Sequence, residues 1–447
     1  MNVNFPGDAE SFYRLRDDRT QQCLDTAAYQ NASCAVTIDD SNLTTLAGRT
    51  MLTVSCNLLS RWCRNVTIVM PDCYCEFGNS LLAQMRDADP FGDFRILSTP
   101  TCATVNLHIG RISVDAPEGC VSISSSGWHA ALSRARHFHL TPSNSDNVIG
   151  AIGAACFGVA EVFKTAVGVP KDHYFSDGIV DLFSMRRVTE LCARSDVHNG
   201  DIGNVLMIGA GSVASAAAYF MSIMNISGRL TIVDFDWVKV ENFNRSPVFG
   251  RVNFGQRKAN ALATYLTGSS LEISAISASW NQFVKDGGLV KQYDIWLPLA
   301  NEEDVRWSMQ HNFPPLMIHA STSKNWGVNY GRHWPGIDDC LACRFPTRAV
   351  ENVLRCSTGP VPTATATVDA ALPFLSFFAG LLIVAELARL QVQPYIKTQN
   401  YSSFDFHSPL EEIQTWDMKA RPECVCQNQK RVGFKRASKY AHLVKEA

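Results

Sequence analysis

Residues 204–214 read Asn-Val-Leu-Met-Ile-Gly-Ala-Gly-Ser-Val-Ala, and residues 229–234 read Arg-Leu-Thr-Ile-Val-Asp. The first apolar run predicts a buried strand, the glycines predict a tight turn, and the small residues that follow predict a helix. The second apolar run predicts another strand, which ends in an acidic residue. This order of strand, glycine turn, helix and strand predicts a βαβ unit with a parallel pair of strands.

The glycine turn fits the motif G-x-G-x-x-G/A through Gly209, Gly211 and Ala214. The first glycine allows the turn, the second lets a phosphate approach the backbone, and the small third residue lets the helix pack on the strand. Asp234 lies where Rossmann folds place an acid that binds ribose. The motif predicts a nucleotide site, although a dehydrogenase, or a glycine turn without a ligand, would show the same residues.

The sequence after Asp234 helps to distinguish between these kinds of protein. Residues 234–245 read Asp-Phe-Asp-Trp-Val-Lys-Val-Glu-Asn-Phe-Asn-Arg, and residues 255–258 read Gly-Gln-Arg-Lys. These stretches resemble the D-x-D-x-V-x-x-x-N-L-N-R-Q … G-x-x-K pattern of the MoeB/ThiF and ubiquitin-activating enzyme superfamily. The resemblance covers residues 200–427 and, more faintly, the first half. It implies an α/β, Rossmann-like adenylation fold of the ThiF type.

The resemblance also implies ATP as the bound nucleotide and a role for each polar residue. Asp234, with Asp236 beside it, would take the ribose hydroxyls, and Asn242 and Arg245 would take the phosphates. Lys258 would reach the phosphates further along the chain of the nucleotide. Fixed positive charge in a water-poor site stabilises the charge that develops when pyrophosphate leaves, so the chemistry of adenylation calls for such residues.

Asn301 departs from the pattern of the superfamily. An aspartate usually follows the fourth strand and holds Mg²⁺, and residues 294–306 align without gaps to place Asn301 there. An amide oxygen can ligate Mg²⁺ but brings no charge. Asn301 is therefore expected to weaken metal-dependent adenylation, with Glu302, Glu303 or Asp304 as the acids that can compensate.

Two cysteine pairs predict a metal site. Cys340 and Cys343 form a C-x-x-C motif, and Cys424 and Cys426 form a C-x-C motif far downstream. Two such pairs suit a tetrahedral structural Zn²⁺, which the superfamily holds at this place, usually with C-x-x-C twice. The alternative interpretations are a redox dithiol and two pairs of cysteines that are simply buried in the core.

The resemblance implies a cysteine nucleophile and an arginine from the N-terminus. In the superfamily, a cysteine just before an apolar helix accepts the activated carrier, and Cys356 lies at that place, next to Arg355. A neighbouring cation favours the reactive thiolate, although a single cysteine is more often part of a core. An N-terminal helix of these enzymes also reaches the partner's site, which here points to Arg14 or Arg16.

Short echoes suggest that the chain is a degenerate duplication. Thr67–Asp72 matches Thr231–Asp236 in residue type and spacing, and Val159–Glu161 matches Val384–Glu386. We therefore expect an inactive adenylation-like domain over residues 1–200, without its glycine turn. The active domain, with the zinc site and the cysteine loop, is expected over residues 201–447. Such a chain would be a monomeric pseudo-dimer or would form a homodimer.

Composition excludes several classes of protein. The 447 residues are 46% hydrophobic, which is enough to fold, so a mainly disordered protein is excluded. Forty basic and forty-two acidic residues give a net charge of −2 and no global attraction to nucleic acid or to an anionic membrane. Residues 370–385 are apolar but too short to span a bilayer, so they predict a buried helix. The polar N-terminus and the fifteen cysteines favour a cytoplasmic protein with reduced thiols.

Together these features predict an activating enzyme for a ubiquitin-like protein. ATP would adenylate the C-terminal glycine of the carrier, Cys356 would take the carrier as a thioester, and a conjugating enzyme would receive it. One alternative is an adenylyltransferase for the sulfur carriers of thiamine or molybdopterin synthesis, and another is a catalytically impaired binding scaffold. An NAD-dependent dehydrogenase is disfavoured by Asn242, Arg245, Lys258 and the paired cysteines.

Overall fold

The computed structural model describes most of the chain. The described residues are 4–21, 26–99, 101–112, 117, 119–134, 139–141, 145–194, 197, 200–300, 303–323, 326–334, 337–344, 359–362, 367–370, 372–392, 395–407, 413–424, 426–427 and 439–443. They form two mixed sheets of eight strands each, with helices packed on the sheets.

The first half of the chain forms one of these sheets. Its strands are β1 (Ser33–Ile38), β2 (Asn65–Val69), β3 (Asp93–Leu97), β4 (Val105–Ile109), β5 (Val121–Ser126), β6 (His129–Ser133), β7 (Gly178–Asp181) and β8 (Arg186–Val188). They lie in the order β3-β2-β1-β4-β5-β6-β7-β8. The first five strands of this order, from β3 through β2, β1 and β4 to β5, are parallel to one another. Each of β6, β7 and β8 is antiparallel to the strand before it.

The second half forms the other large sheet. Its strands are β9 (Asp201–Ile208), β10 (Ser227–Val233), β11 (Leu271–Ile276), β12 (Ile295–Pro298), β13 (Met317–Thr322), β14 (Gly327–His333), β17 (Tyr401–Asp405) and β18 (Gln414–Trp416). Between β14 and β17 in the chain, β15 (Gly359–Pro362) and β16 (Thr367–Ala370) form a separate antiparallel pair. The large sheet has the order β11-β10-β9-β12-β13-β14-β17-β18. Its first five strands are parallel and the last three are antiparallel.

Thirteen α-helices connect or cover the strands in the described part of the chain. They are α1 (Ala9–Arg16), α2 (Asp18–Gln21), α3 (Thr26–Asn31), α4 (Asp40–Leu43), α5 (Leu46–Ser60), α6 (Cys75–Ala88), α7 (Ile149–Ala166), α8 (Ser212–Ile223), α9 (Lys258–Tyr265), α10 (Trp280–Lys285), α11 (Glu303–His311), α12 (Leu341–Arg344) and α13 (Pro373–Arg389).

The two large sheets have the same strand order and the same strand directions, so the chain contains one fold twice. The echoed residues take equivalent places: Thr67 lies in β2 and Thr231 in β10, while Glu161 lies in α7 and Glu386 in α13. The predicted α/β fold with two related halves is confirmed. The first sheet ends at Val188 and the second begins at Asp201, on either side of the predicted boundary.

The two halves share a continuous core. Helix α7 packs on α5 and α13, and α13 packs on α8. Phe157 of the first half lies 5.1 Å from Phe378 of the second half, measured between ring centroids. A Cβ atom at Gly380 would lie 2.5 Å from the Cβ of Ala216, so glycine lets α13 approach α8 closely. Buried residues of both halves thus belong to one hydrophobic core.

Each half buries one glutamate within a set of basic residues. The carboxylate of Glu161 lies 2.6 Å from Lys164 Nζ and 3.0 Å from Arg134 Nη2. Glu386 likewise lies 3.1 Å from Arg332 Nη1 and accepts from Arg389 Nε at 2.8 Å. Burial alone would raise the pKa of Glu386, but Arg389 and Arg332 hold it at about 2. The echo in sequence therefore corresponds to a repeated ion-pair cluster.

The first half has a carboxylate where the second has its glycine turn. Asp39 follows β1, and its Oδ2 accepts a hydrogen bond of 2.9 Å from the backbone of Arg111. Its Oδ1 lies 3.2 Å from His108 Nε2. A negative charge at this place repels phosphate. This supports the interpretation of residues 1–200 as an inactive domain, which stays a prediction.

Among the described residues, Ile149–Ala166 is the one helix with the length and hydropathy to cross a membrane, and 94% of it is buried within the protein. The apolar segment before Glu386 forms α13, a helix whose residues are all buried. Both are central helices of the shared core. The structure thus agrees with the expectation of a buried helix in this region.

Candidate active site

A cleft opens at the carboxyl ends of β9, β10 and β12, where α/β sheets of this kind bind their ligands. Its volume is about 460 Å³. The cleft brings together most of the residues that the sequence predicts for a nucleotide site, and these are Gly209, Gly211, Asp234, Asp236, Asn242, Arg245 and Lys258. Ala214 lies buried within the first turns of α8, behind the lining of the cleft.

The glycine turn has the geometry that its motif predicts. Gly209 has a φ angle of +96°, and a Cβ atom there would lie 2.6 Å from the backbone nitrogen of Ala300. Gly211 caps α8, and a Cβ atom on it would meet open space. The free amides at the start of α8 therefore face the cleft without a side chain between them and a ligand.

Ser212 gives independent evidence for a ligand at this turn. It lines the cleft, it is 5% exposed, and its hydroxyl oxygen has no hydrogen-bond partner within the described residues. A buried hydroxyl without a partner costs free energy, so such groups usually meet a ligand or a water. The phosphate of a nucleotide at the helix start would accept this hydrogen bond.

Asp234 is held in place by the backbone at the end of β10. Its Oδ2 accepts a hydrogen bond of 2.6 Å from Ala210, and its Oδ1 accepts one of 2.7 Å from Asp236. Burial raises the pKa of this carboxyl group, although the backbone donors oppose the shift. Each carboxylate oxygen can accept a second hydrogen bond, so Asp234 retains the capacity to bind hydroxyl groups.

Two cations lie on the wall of the cleft. Lys258 begins α9, and its Nζ lies 3.0 Å from the carboxylate of Asp236. Arg245 is 8% exposed and donates from Nη1 to the carbonyl of Glu241 at 2.7 Å and to Asn244 Oδ1 at 2.9 Å. Neither side chain points away into bulk solvent, as both line the cleft with the glycine turn.

Asn242 shapes the turn that carries Arg245. It ends the short 3₁₀ helix Val240–Asn242, and its Oδ1 accepts from the backbone nitrogen of Lys239 at 2.9 Å. This bond fixes the start of the turn. Asn242 therefore has a structural task at the edge of the cleft in addition to any contact with phosphate.

Another part of the lining consists of Ala278, Ser279, Trp280 and Asn281, which follow β11, and of Asp304 and Val305 at the start of α11. Only Asp304 among these residues was predicted from the sequence, as an acid that can compensate for Asn301. Trp280 donates from its indole nitrogen to Ser308 Oγ at 2.9 Å, which fixes its ring. The signal was available, because residues after the carboxyl end of each parallel strand line such clefts.

Four cysteine thiols meet away from the cleft. Cys340 Sγ lies 3.9 Å from Cys343 Sγ and 3.5 Å from Cys424 Sγ, and Cys343 Sγ lies 3.7 Å from Cys426 Sγ. All four sulfurs are within 4.8 Å of one another. Four thiolates bound to one Zn²⁺ at 2.3 Å with tetrahedral angles would be separated by about 3.8 Å. The donor set and its spacing fit a structural Zn²⁺.

Among the described site residues, Arg14 does not line the cleft. Asn301 and Cys356 lie outside the described residues. Arg14 is exposed on α1, while Arg16 is buried and bonded to Asp17 at 2.6 Å and to Asp89 at 2.5 Å. These ion pairs give Arg16 a structural role, so Arg14 is the remaining candidate for an arginine from the N-terminus, and that role stays a prediction.

Two family models match the chain, one in each half. A model of the ThiF family matches residues 201–428, which are 228 of the 447 residues. The chain belongs to the ThiF family. ThiF proteins are adenylyltransferases that bind ATP and Mg²⁺, so the predicted superfamily is confirmed. A model of the BilD N-terminal domain matches residues 33–172 of the first half.

Two curated proteins are similar in sequence to this ThiF protein. The uncharacterized protein y4jF of Sinorhizobium fredii (strain NBRC 101917 / NGR234) is 27% identical over 331 residues, which are 71% of this chain and 61% of y4jF. The adenylyltransferase and sulfurtransferase MOCS3 of Culex quinquefasciatus is 25% identical over 179 residues, which are 38% of this chain and 40% of MOCS3. The ThiF chain thus spans less than two thirds of either relative.

Solved structures of E. coli MccB also match this ThiF protein. The complex with succinimide has a TM-score of 0.38 at 14% identity, and the complex with MccA-N7isoASN has a TM-score of 0.39 at 13% identity. Each match covers 69% of this chain and 97% of the MccB chain.

Proposed function

We propose that this ThiF protein activates a ubiquitin-like protein by adenylating its C-terminal glycine with ATP. The observation that carries this proposal is the cleft that joins the glycine turn, Asp234, Arg245 and Lys258 beside the unpartnered hydroxyl of Ser212. The turn offers backbone donors to phosphate, Asp234 offers acceptors to hydroxyl groups, and the two cations offer charge. This set suits a nucleoside triphosphate better than an uncharged ligand.

In the proposed first step, the carboxylate of the carrier attacks the α-phosphorus of ATP. A bond forms between the carboxylate oxygen and phosphorus, the bond to the β-phosphate breaks, and pyrophosphate leaves. Arg245 and Lys258 stabilise the negative charge that moves onto the leaving group. Because Lys258 is paired with Asp236 at 3.0 Å, the phosphates must compete with this carboxylate for the ammonium group.

The proposed metal ion is Mg²⁺, which neutralises phosphate charge when bound. Asp304 lines the cleft and offers the hard oxygen ligands that Mg²⁺ prefers. We propose Asp304 and the amide oxygen of Asn301 as the residues that would hold it. Asp304 lies three residues after Asn301 and supplies the negative charge that Asn301 lacks.

In the proposed second step, Cys356 receives the carrier. Its thiolate attacks the acyl carbon, the bond from that carbon to the phosphate oxygen breaks, and AMP leaves. The carrier is then held as a thioester, from which a conjugating enzyme takes it. Zn²⁺ at Cys340, Cys343, Cys424 and Cys426 would have a structural role, because four thiolates leave no open position on the ion.

We also propose that the protein works in the cytoplasm. All thirteen described cysteines are free thiols, and four of them form the proposed zinc site. A reducing compartment keeps such thiols available for metal and for thioester chemistry.

A second candidate function is the adenylation of a sulfur carrier. The likeness to MOCS3, which is named as an adenylyltransferase and sulfurtransferase, favours it. Both candidates share the adenylation step and differ in the fate of the adenylate. A thioester on Cys356 supports the ubiquitin-like route, whereas release of a thiocarboxylate supports the sulfur route.

The test uses the full chain with ATP, Mg²⁺ and a ubiquitin-like protein that ends in glycine. We expect exchange of labelled pyrophosphate into ATP and a carrier adduct that thiol reagents release. Cys356→Ala should abolish the adduct and preserve the exchange, while Cys192→Ala, at an exposed cysteine of the first half, should preserve both. Absence of ATP binding would leave a binding scaffold as the better account.

A further inference from the structure

The loop that carries Arg245 lies against the first half of the chain. This loop, residues 243–249, is called the arginine loop below. Arg61 caps the end of α5 in the first half and is 3% exposed. Its guanidinium donates to three carbonyls of the arginine loop: Phe243 at 3.0 Å, Pro247 at 2.7 Å and Phe249 at 2.5 Å. These carbonyls lie on both sides of Arg245 in sequence.

Arg61 keeps its charge in this buried place without a carboxylate bonded to it. Among the described residues it forms no ion pair, and its remaining hydrogen bond runs from Nε to Asn57 Oδ1 at 3.1 Å. Burial lowers the pKa of Arg61 to about 10. Burying an arginine is unfavourable unless its donors are satisfied, and here the arginine loop accepts from three of the five N–H donors and Asn57 from a fourth.

Other contacts hold the same region from the first half. Asn57 Nδ2 donates to the carbonyl of Pro247 at 3.2 Å. The carboxylate of Asp87, which lies in α6, accepts from the backbone of Val252 at 2.9 Å. A Cβ atom at Gly250 would lie 2.1 Å from Asp87 Oδ2, so the residue there must be small. Backbone groups of the second half are thus fixed at several points by side chains of the first.

The equivalent helix end differs between the two halves. Helix α8 is the counterpart of α5 in the second half, and its C-cap residue is Met224, whereas the C-cap residue of α5 is Arg61. The side chain of methionine cannot donate hydrogen bonds to a loop. Of these two helix ends, that of α5 therefore carries the anchoring arginine and that of α8 does not.

We propose that Arg61 is a positioning residue for adenylation, through which the first half sets the place of Arg245 in the cleft. This inference rests on the proposed function for its catalytic meaning. Arg61 itself bonds only to protein groups. It acts through the backbone on both sides of Arg245, whose Nη1 is already directed by Glu241 and Asn244.

The proposal predicts that a substitution of Arg61 lowers ATP affinity and the rate of adenylation. A displacement of about 1 Å in a catalytic group can cost about 10²-fold in rate, so loss of three bonds to the loop should be measurable. Arg61→Met keeps much of the volume and removes every donor. Arg61→Lys keeps the charge with a donor group that cannot span three carbonyls, so an intermediate effect is expected.

The experiment compares the full-length wild type, Arg61→Met, Arg61→Lys and the control Arg64→Ala. Arg64 lies near Arg61 in sequence, has a side chain that is 19% exposed and bonds to Asp17 at 3.3 Å, and within the described residues it forms no hydrogen bond with the arginine loop. Three quantities are measured: amide hydrogen exchange of residues 243–249, the dissociation constant of ATP with Mg²⁺, and pyrophosphate exchange with a carrier that ends in glycine.

We expect amide exchange in the arginine loop to rise at least ten-fold in Arg61→Met, with exchange in β9 and α13 unchanged. The dissociation constant of ATP should rise about ten-fold, and the turnover for pyrophosphate exchange should fall about 10²-fold. Arg64→Ala should match the wild type. In a further variant, Arg61→Ala, ATP affinity should fall as in Arg61→Met, and free guanidinium ion should restore part of it, because the ion can occupy the vacated space and donate to the same carbonyls.

Two results overturn the proposal. One is wild-type loop exchange and ATP affinity in a folded Arg61→Met protein. The other is faster amide exchange throughout the chain with no added effect on the loop, which would show a general role in folding. If Arg61→Met does not fold, Arg61→Lys decides by the same measurements. A wild type that binds ATP but lacks pyrophosphate exchange refutes the proposed function, while the loop exchange and ATP affinity still decide on Arg61.

Discussion

Lys258 Nζ and the Asp236 carboxylate lie 3.0 Å apart on the wall of the cleft. The lysine is 12% exposed and the aspartate 55% exposed, so the ammonium group is enclosed while its counter-ion faces solvent. The pair holds the lysine beside the glycine turn, so an anionic ligand in the cleft would have to compete with Asp236 for the ammonium group. A ligand with several negative charges is best able to win this competition.

Loss of the Lys258 charge should impair adenylation. We expect Lys258→Met to lower the turnover for pyrophosphate exchange about 10²-fold, because a fixed cation in a water-poor site is worth several kcal/mol to a charged transition state. The measurement is steady-state pyrophosphate exchange. Lys239→Met is the matched control, since Lys239 is about half exposed and lies 3.8 Å from Glu241. Equal rates in both variants would remove Lys258 from the mechanism.

The two glycines of the turn should respond differently to alanine. Gly209→Ala forces a side chain onto a φ of +96° and against the backbone of Ala300, so we expect a loss of more than about 1 kcal/mol in stability. Gly211→Ala meets open space and should leave the melting temperature unchanged, but its methyl group faces the cleft and should weaken ATP binding. Thermal unfolding and ATP titration separate the effects. A stable Gly209→Ala protein would contradict the geometry of the turn.

The four cysteines should bind one Zn²⁺ per chain. Elemental analysis of the purified protein should find it, and Cys343→Ser should lose the metal and lower the melting temperature, because the ion joins two distant segments. Cys102→Ser, at an exposed cysteine outside the cluster, is the control and should retain the metal. A metal-free wild type that keeps its full melting temperature would refute the zinc assignment.

Glu386 should stabilise the protein in a manner that depends on pH. Its pKa of about 2 lies below the ordinary 4.5, so its contribution is present above pH 4.5 and is lost as the pH falls toward 2. We expect Glu386→Gln to cost roughly 3–5 kcal/mol at neutral pH, because Arg332 and Arg389 lose their buried counter-ion. Denaturant unfolding between pH 2 and 7 measures the difference from the wild type.

The control for Glu386 is Glu272→Gln. Glu272 pairs with Arg229 at 3.1 Å, but both side chains are more than half exposed, so the pair contributes little. The free energy of unfolding of Glu272→Gln should equal that of the wild type at every pH. A Glu386→Gln protein with the same pH profile as Glu272→Gln would show that the buried cluster is not a major source of stability.

The sequence by itself determined the βαβ unit, the family, and the glycine turn, acids and cations of the cleft. Gly209, Asp234, Asn242, Arg245 and Lys258 are close in sequence or follow strands directly, so local spacing is enough to predict that they meet. The duplication was also visible, since the strand that contains Thr67 and the helix that contains Glu161 kept part of their sequence.

Only the tertiary structure decided which distant groups meet. The contact of Trp280 with Ser308, the ion pair of Arg16 with Asp89, and the contact of Arg61 with the arginine loop all join segments that are far apart in the chain. Spacing cannot predict such contacts, because they depend on how helices and loops pack around each sheet and, for Arg61, on how the two halves meet. Arg61 looks like an ordinary charged residue at a helix end, and only the packing of the two halves turns its donors toward the carbonyls beside Arg245.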